Sequence, residues 1–81
     1  MRVTITFFSY FKDLTGCEQT FETLPSGSTI DDLQKQLVVR YPKLAAMRNS
    51  TLTAIGVEYQ GRSYVLQEGD EVSLFPPVQG G

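Results

Sequence analysis

The chain of 81 residues contains no histidine, no tryptophan and a single cysteine, Cys17. Histidine is the usual base of hydrolytic triads and a common metal ligand, so its absence argues against a self-contained hydrolase and predicts no metal site. One cysteine cannot form a disulfide within the chain, which is typical of reducing compartments. The expected location is therefore cytoplasmic.

Charge of either sign and long apolar runs are also scarce. Seven basic and nine acidic residues give a net charge of −2 without charge blocks, so nucleic acid is not an expected partner. Residues 1–8 alternate apolar and polar side chains, which fits neither a signal peptide nor a membrane span. No phosphate loop or dinucleotide-binding glycine pattern occurs, and we expect no bound cofactor.

Few of the remaining reactive groups suggest catalysis. Cys17 could be a nucleophile, but only Lys12, five residues away, is near enough in sequence to activate it. We therefore expect an ordinary structural thiol. The adjacent acids Asp31-Asp32 and Asp70-Glu71 are typical of a helix start and of a turn, respectively.

The first third of the chain predicts two paired strands. Val3, Ile5 and Phe7 alternate with polar residues, the pattern of a strand with one buried face. Residues 8–14 break the alternation and are expected to pack back on the sheet as a helical turn. Residues 18–24 predict a second strand, and the short link indicates an antiparallel pair.

The middle of the chain predicts the main helix. Thr29 is a good N-cap with Asp32 three residues later, and Pro42 disfavours helix beyond Tyr41. A short further turn is expected over residues 43–47. Apolar residues fall at helical spacing on one face at Ile30, Leu33, Leu37, Val38 and Tyr41.

Three strands are predicted after the helix, over residues 52–59, 63–65 and 72–75. In the first of them Ile55, Val57 and Tyr59 should lie on one side, and Gly56 indicates a bulge or a close backbone approach. The order strand, strand, helix and three strands predicts an α+β fold, with a mixed five-stranded sheet packed on one main helix.

The chain ends in a tail after the last strand. Pro76-Pro77 fixes φ and holds the backbone extended, so that residues 76–81 can reach roughly 20 Å from the domain. Gly80-Gly81 has no side chain to crowd the terminal carboxylate, which suits a narrow pocket on another protein. We expect a domain over residues 1–75 and a flexible tail over residues 76–81.

The segment 69–81 resembles the end of the small sulfur-carrier subunits of molybdopterin synthase (molybdopterin converting factor subunit 1). In that family an acidic turn, a strand, a Phe-Pro-Pro run and a terminal Gly-Gly occur together, as they do here. Phe7-Phe8, Leu14 and Gly16 are similar to the start of the family, and the length and element order agree. The chain departs at Ala54-Ile55-Gly56, where many members carry an asparagine. The resemblance implies a ubiquitin-like β-grasp.

The resemblance also implies a function. The Gly81 carboxylate would be adenylated by an ATP-using enzyme that resembles ubiquitin-activating enzymes, and a sulfur donor protein would convert it to a thiocarboxylate. The tail would then enter the large catalytic subunit of molybdopterin synthase, in an expected heterotetramer. There it would donate sulfur to cyclic pyranopterin monophosphate. This chain would be a carrier and co-substrate without catalytic groups of its own.

The same resemblance assigns the candidate site. Gly81 carries the sulfur, and Gly80 leaves clearance in the partner's channel. By alternation, Phe75 should lie on the side of Ser73, where it either docks on the partner or packs in the core. The partner-binding residues are expected to be Phe75, Pro76, Pro77, Val78, Gln79 and Gly80.

Two other functional classes stay open at this point. A sulfur carrier for a different acceptor, such as the thiamin thiazole, would have a similar tail, although the Phe-Pro-Pro run and the long first connection favour molybdopterin. The other class is a ubiquitin-like modifier joined to lysines, or a simple binding module.

Overall fold

The computed structural model describes residues 1–77. The chain forms β1 (Arg2–Phe7), α1 (Phe11–Thr15), β2 (Gln19–Thr23), α2 (Ile30–Arg40), a 3-10 helix (Pro42–Ser50), β3 (Leu52–Ile55), β4 (Glu58–Tyr59) and β5 (Glu71–Phe75). The five strands form one sheet in the order β2-β1-β5-β3-β4, in which only β1 and β5 are parallel. This confirms the predicted mixed sheet with one main helix. No helix of residues 1–77 combines the length and apolar character that a membrane crossing requires.

The core lies between one face of the sheet and α2. Val3, Ile5 and Phe7 alternate along β1 and are at most 1% exposed, as the sequence pattern predicts. Burying a side chain of this size stabilises the fold by roughly 1.5–3 kcal/mol. We call the opposite side of the sheet the open face. The other buried residues of the cluster are Phe11, Leu24, Ile30, Leu33, Leu37, Leu44, Leu66, Val72 and Leu74.

The start of α2 is fixed by the predicted capping box. The hydroxyl of Thr29 accepts a hydrogen bond from the Asp32 N–H at 3.3 Å, and the Asp32 carboxylate accepts one from the Thr29 N–H at 2.9 Å. The Tyr41 N–H still bonds the Leu37 carbonyl at 2.7 Å, after which Pro42 begins the 3-10 helix. That helix is longer than the short turn predicted over residues 43–47.

The predicted strand over residues 52–59 is in fact a β-hairpin. The chain reverses at Gly56-Val57, with Ile55 paired to Glu58 across the turn. Gly56 has φ +59° and Val57 does not have positive φ, a combination typical of a type II′ turn. Ile55 packs against the core, whereas Val57 is 98% exposed and Tyr59 is 68% exposed. The prediction that these three residues share one side was therefore wrong, because the turn reverses the strand.

The predicted strand over residues 63–65 does not form a ladder. Val65 makes one isolated bridge with Thr29, and the Tyr64 carbonyl accepts a bond from the Ile30 N–H at 3.0 Å. This segment thus satisfies an N–H in the first turn of α2, which has no partner within the helix. The fifth strand of the sheet is β4 instead.

Asp70 fixes the beginning of β5. Its carboxylate accepts bonds from the Tyr64 hydroxyl at 3.2 Å and from the Gln67 N–H at 2.8 Å. Burial raises the pKa of Tyr64, and the bond to Asp70 raises it further. The Asp70 carbonyl accepts a bond from the Thr4 N–H at 3.0 Å, so this turn sets the register between β1 and β5. The turn role predicted for this acid is confirmed.

Asp31, at the first turn of α2, joins that helix to the 3-10 helix. Its carboxylate pairs with Arg48, and it also pairs with Lys35 at 3.3 Å. Partial burial alone would raise the pKa of Asp31, but the hydrogen bonds and charges of Lys35 and Arg48 outweigh it and lower the pKa. The predicted helix-start role of this acid agrees with this position.

Candidate functional site

The candidate site lies at the C-terminal end of β5. β5 runs between β1 and β3, so that its direction is fixed by hydrogen bonds on both sides. Val72 and Leu74 are buried against the core, while Ser73 and Phe75 are half-buried and alternate with them. Phe75 therefore lies on the side of Ser73, as alternation predicts, and outside the core cluster.

The Phe75 ring forms part of an aromatic surface. It stacks on Phe8 with 4.5 Å between ring centroids and 15° between planes, and Tyr59 meets it edge-on at 6.1 Å. Leu52 is its cross-strand partner in β3. We call Phe8, Leu52, Tyr59 and Phe75 the aromatic patch. Its first three members are between 37% and 68% exposed, and such exposed apolar clusters are typical of protein-binding surfaces.

Three members of the aromatic patch were not among the predicted site residues. The position of Phe8 could have been noticed in the sequence. If the alternation of β1 continues, Phe8 lies on the same face as Thr4 and Thr6 and is an apolar residue on the polar face. Tyr59 reaches Phe75 only because the hairpin brings β4 back beside β3. No sequence pattern identified Leu52.

The backbone beside the aromatic patch adopts an unusual conformation. Ser9 has φ +55°, in the left-handed region that residues with a side chain rarely adopt. Such a conformation costs on the order of 1 kcal/mol. It turns the chain from β1 into α1 while the Phe8 N–H still bonds the Leu74 carbonyl at 3.1 Å. Phe8 is thereby held next to β5, where its ring supports Phe75.

The chemistry of the aromatic patch suits binding. Its only side-chain polar group is the Tyr59 hydroxyl. The groups with shifted pKa values lie elsewhere: Asp31 and Tyr64 in the structural contacts described above, and Arg40 beside Glu22. Within residues 1–77, no three or more acids and cysteines come together in a way that could hold a metal ion.

The contacts of Cys17 are those of a structural thiol. It is half-buried against the core, with its Sγ 3.7 Å from the Tyr41 hydroxyl and 3.8 Å from the Thr15 hydroxyl. Lys12 pairs with Glu18 at 3.8 Å. A thiol held between two hydroxyl groups in this way contributes packing and weak hydrogen bonds.

The resemblance implies sulfur loading and transfer at Gly81, and we predict that Cys17→Ser retains both. Serine preserves the hydrogen-bonding partners of Cys17 and loses only part of the packing, so a slightly lower thermal midpoint is expected. Mass spectrometry of the loaded chain and circular dichroism check both parts. A folded variant that cannot be loaded would assign the thiol a chemical role.

The predicted tail residues are only partly described. Pro76 and Pro77 follow β5 and are half-buried. The predicted site residues Val78, Gln79, Gly80 and Gly81 lie outside the described residues. Their roles, and the proposed division between a domain and a flexible tail, stay predictions.

Curated relatives match this chain over nearly its whole length. It is 31% identical to the molybdopterin synthase sulfur carrier subunit of Arabidopsis thaliana, over 100% of this chain and 84% of that protein. It is also 31% identical to the human protein of that name, over 99% and 94% of the two chains. Small archaeal modifier protein 3 of Haloferax volcanii is 28% identical and both chains are fully covered.

Solved structures show the same fold. A molybdopterin converting factor subunit 1 from Pyrococcus furiosus, described as putative, superposes with a TM-score of 0.88 at 26% identity, over 96% of this chain and 99% of that one. A Caldiarchaeum subterraneum ubiquitin superposes with a TM-score of 0.69 at 14% identity, over 100% and 98%. The fold is therefore the predicted ubiquitin-like β-grasp.

One further structure contains two kinds of subunit. The protein–protein complex of subunits 1 and 2 of molybdopterin-converting factor from Helicobacter pylori includes a chain that matches with a TM-score of 0.71 at 24% identity, both chains being fully covered. The ThiS family model matches residues 5–81. Together with the relatives above, this match shows that the chain belongs to the ThiS family.

Proposed function

We propose that this protein is the sulfur-carrier subunit of a molybdopterin synthase. The observation that carries the proposal is the aromatic patch at the C-terminal end of β5. Its member Phe75 is also the first residue of the Phe-Pro-Pro run that leads to the Gly-Gly end. The curated relatives with that name support it, because two of them are 31% identical over almost the whole chain.

The chemistry takes place at the Gly81 carboxyl group. A free carboxylate is a poor electrophile, and adenylation by an ATP-using activating enzyme gives its carbon a good leaving group. The terminal sulfur of a persulfide on the donor protein attacks this carbon and displaces AMP, which gives an acyl disulfide. A second thiol then attacks the donor's own sulfur atom, so that a disulfide forms on the donor side and the thiocarboxylate leaves. Its sulfur is then the nucleophile that is delivered to cyclic pyranopterin monophosphate in the large subunit.

The fold supplies position for this chemistry. β5 is held between two strands, and Pro76-Pro77 restricts the directions in which the chain can continue. Six residues from Pro76 to Gly81 span at most roughly 20 Å. The aromatic patch can therefore rest on the partner's surface while Gly81 reaches into its active site. Such tethering raises the effective concentration of the sulfur without any catalytic group on the carrier.

The main partner in this proposal is the large catalytic subunit. The three rings of the aromatic patch are already packed together, so little side-chain entropy is lost on docking. The two-subunit complex from Helicobacter pylori supports such a partner. We further expect that the two kinds of subunit form a heterotetramer and that an adenylating enzyme and a sulfur donor protein act on this chain. The expected location is cytoplasmic.

A protein modifier is the second candidate function. It is favoured by the full-length relative named small archaeal modifier protein 3. A modifier would use the same activated Gly81 but would transfer its carbonyl carbon to a lysine instead of donating sulfur. Carriage of sulfur to another acceptor, such as the thiamin thiazole, differs only in the partner.

Intact-mass spectrometry separates these functions. After incubation with the activating enzyme, the sulfur donor and ATP, we expect one oxygen-to-sulfur exchange that fragmentation places at Gly81. Omission of ATP is the control. The loaded chain should then form molybdopterin with the large subunit and cyclic pyranopterin monophosphate. Isopeptide-linked conjugates without the exchange would favour the modifier, and an unchanged mass would contradict both functions.

A further inference from the structure

The outer edge of the sheet at β2 is covered by side chains from α2. β2 is the first strand in the order β2-β1-β5-β3-β4, and no other strand pairs with its outer side in the described part of the chain. A free edge carries backbone groups that can pair with a strand of another molecule. The contacts that cover this edge therefore influence whether two copies of the chain can pair through β2.

Hydrogen bonds between β1 and β2 show which backbone groups face outward. Met1 and Leu24 exchange both bonds at 2.9 Å, and the Phe7 N–H bonds the Glu18 carbonyl at 2.9 Å. In an antiparallel pair such residues alternate with residues that point away from the partner strand. The residues whose N–H and C=O groups face the open edge are thus Gln19, Phe21 and Thr23.

Two of these outward carbonyls are bonded to α2. The Phe21 carbonyl accepts a bond from Nη1 of Arg40 at 3.3 Å, and the Thr23 carbonyl accepts one from Nε2 of Gln36 at 3.2 Å. Gln36 and Arg40 are one helical turn apart and lie on the same side of α2. Their side chains therefore lie along the edge of β2 and occupy acceptors that an incoming strand would need.

Arg40 is held in place by a buried acid. Its Nη1 pairs with Glu22 at 2.7 Å, and Glu22 is only 5% exposed. The hydrogen bond to Glu22 and the charge of Glu22 raise the pKa of Arg40. Nη2 also donates to the Thr20 hydroxyl at 3.4 Å. The guanidinium is consequently fixed at the edge of β2 by two side chains on the core face of the strand, Glu22 and Thr20, and by the outward carbonyl of Phe21.

β2 has the symmetry that pairing with its own copy requires. Phe21 is the middle residue of Gln19–Thr23, so two antiparallel copies centred on Phe21 would place residue 19 of one copy opposite residue 23 of the other. The outward residues are uncharged, and Phe21 is half exposed and could contact its counterpart. A symmetric contact of this kind closes into a dimer.

We propose that Gln36 and Arg40 close the β2 edge against a second copy of this chain. Without them, β2 pairs antiparallel with β2 of another molecule, and the sheet continues across a twofold axis. The two side chains thus keep a carrier with a prominent aromatic patch from associating through its sheet edge. This role is separate from the proposed sulfur chemistry and does not involve the tail.

The test is the triple variant Glu22→Gln, Gln36→Ala, Arg40→Met. Glu22→Gln avoids a buried carboxylate without a partner once Arg40 is gone. Sedimentation velocity over a range of concentrations should show dimerisation at least about tenfold tighter than for the wild type. Hydrogen exchange should show new protection of the Phe21 and Thr23 amides in the dimer.

Two controls assign the effect to the β2 edge. Glu22→Gln alone keeps an oxygen that can accept from Arg40 and leaves both edge side chains in place, so it should associate more weakly than the triple variant. Thr23→Pro added to the triple variant removes an outward N–H and should reverse the association. A folded triple variant that associates no more than the wild type would overturn the proposal, as would a dimer that persists with Thr23→Pro. If the triple variant does not fold, Gln36→Ala with Arg40→Lys gives the same comparison with the charge beside Glu22 retained.

Discussion

Removing Gly81, or adding one residue after it, should abolish sulfur transfer and leave the fold unchanged. In the proposed function, either change displaces the terminal carboxyl carbon by about 3 Å from the point where the activating enzyme and the synthase would meet it. Misplacement of a reacting group by about 1 Å can already reduce a rate about 100-fold. Stability should be unaffected, because every buried core residue among the described residues 1–77 precedes Phe75.

Three measurements separate the steps for these two variants. Release of pyrophosphate reports adenylation, intact mass reports the thiocarboxylate, and molybdopterin formation reports transfer. Thermal unfolding should match the wild type in each case. Binding to the large subunit provides the control, since the aromatic patch is intact and should still dock. Full activity of the extended chain, with its mass confirmed before and after the assay, would contradict the sulfur-carrier function.

Sequence patterns predicted the elements whose signals are local. The alternation of Val3, Ile5 and Phe7 defines a buried strand face by itself, and Thr29 with Asp32 defines the start of α2 by itself. Both patterns depend on contacts within a few residues or on one buried side. The elements that they predict are present with almost the expected bounds.

The hairpin over residues 52–59 and the segment 63–65 could not be predicted in the same way because distant contacts decide them, whereas β5 lies close to the predicted residues 72–75. Gly56 indicates an irregular backbone, but a bulge and a two-residue turn both use a glycine with positive φ. The turn forms here, with the short strand β4 returning beside β3. Residues 63–65 have a strand-like pattern, but their backbone bonds the first turn of α2 instead. Neither outcome is encoded within the segment itself.

The candidate site was predictable only in part for the same reason. The side of β5 on which Phe75 lies follows from alternation. Its neighbours do not, because Phe8 reaches it through the parallel pairing of β1 with β5, and Tyr59 reaches it through the hairpin. The sequence thus indicated the tail and Phe75. The other members of the aromatic patch lie beside Phe75 because of the order and pairing of the strands.

Phe75→Ala should weaken binding to the large subunit by at least roughly 30-fold. Aromatic anchors at the centre of an interface often contribute about 2 kcal/mol or more, which corresponds to that factor. In the free protein the substitution removes the stacking of Phe75 on Phe8 and its edge contact with Tyr59, each worth about 0.5–1.5 kcal/mol. The stability loss should stay below about 3 kcal/mol, because Phe75 is half-buried and outside the core.

Leu74→Ala is the matched control for Phe75→Ala. Leu74 is the preceding residue of β5, faces the core and is 2% exposed, so its truncation should lower the free energy of unfolding by about 2–5 kcal/mol. Under conditions where it is folded, its affinity for the large subunit should be close to that of the wild type. Calorimetry and chemical denaturation of both variants therefore give opposite results if the open face of the sheet is the docking surface. Unchanged affinity of Phe75→Ala with a core-sized stability loss would place the docking surface elsewhere.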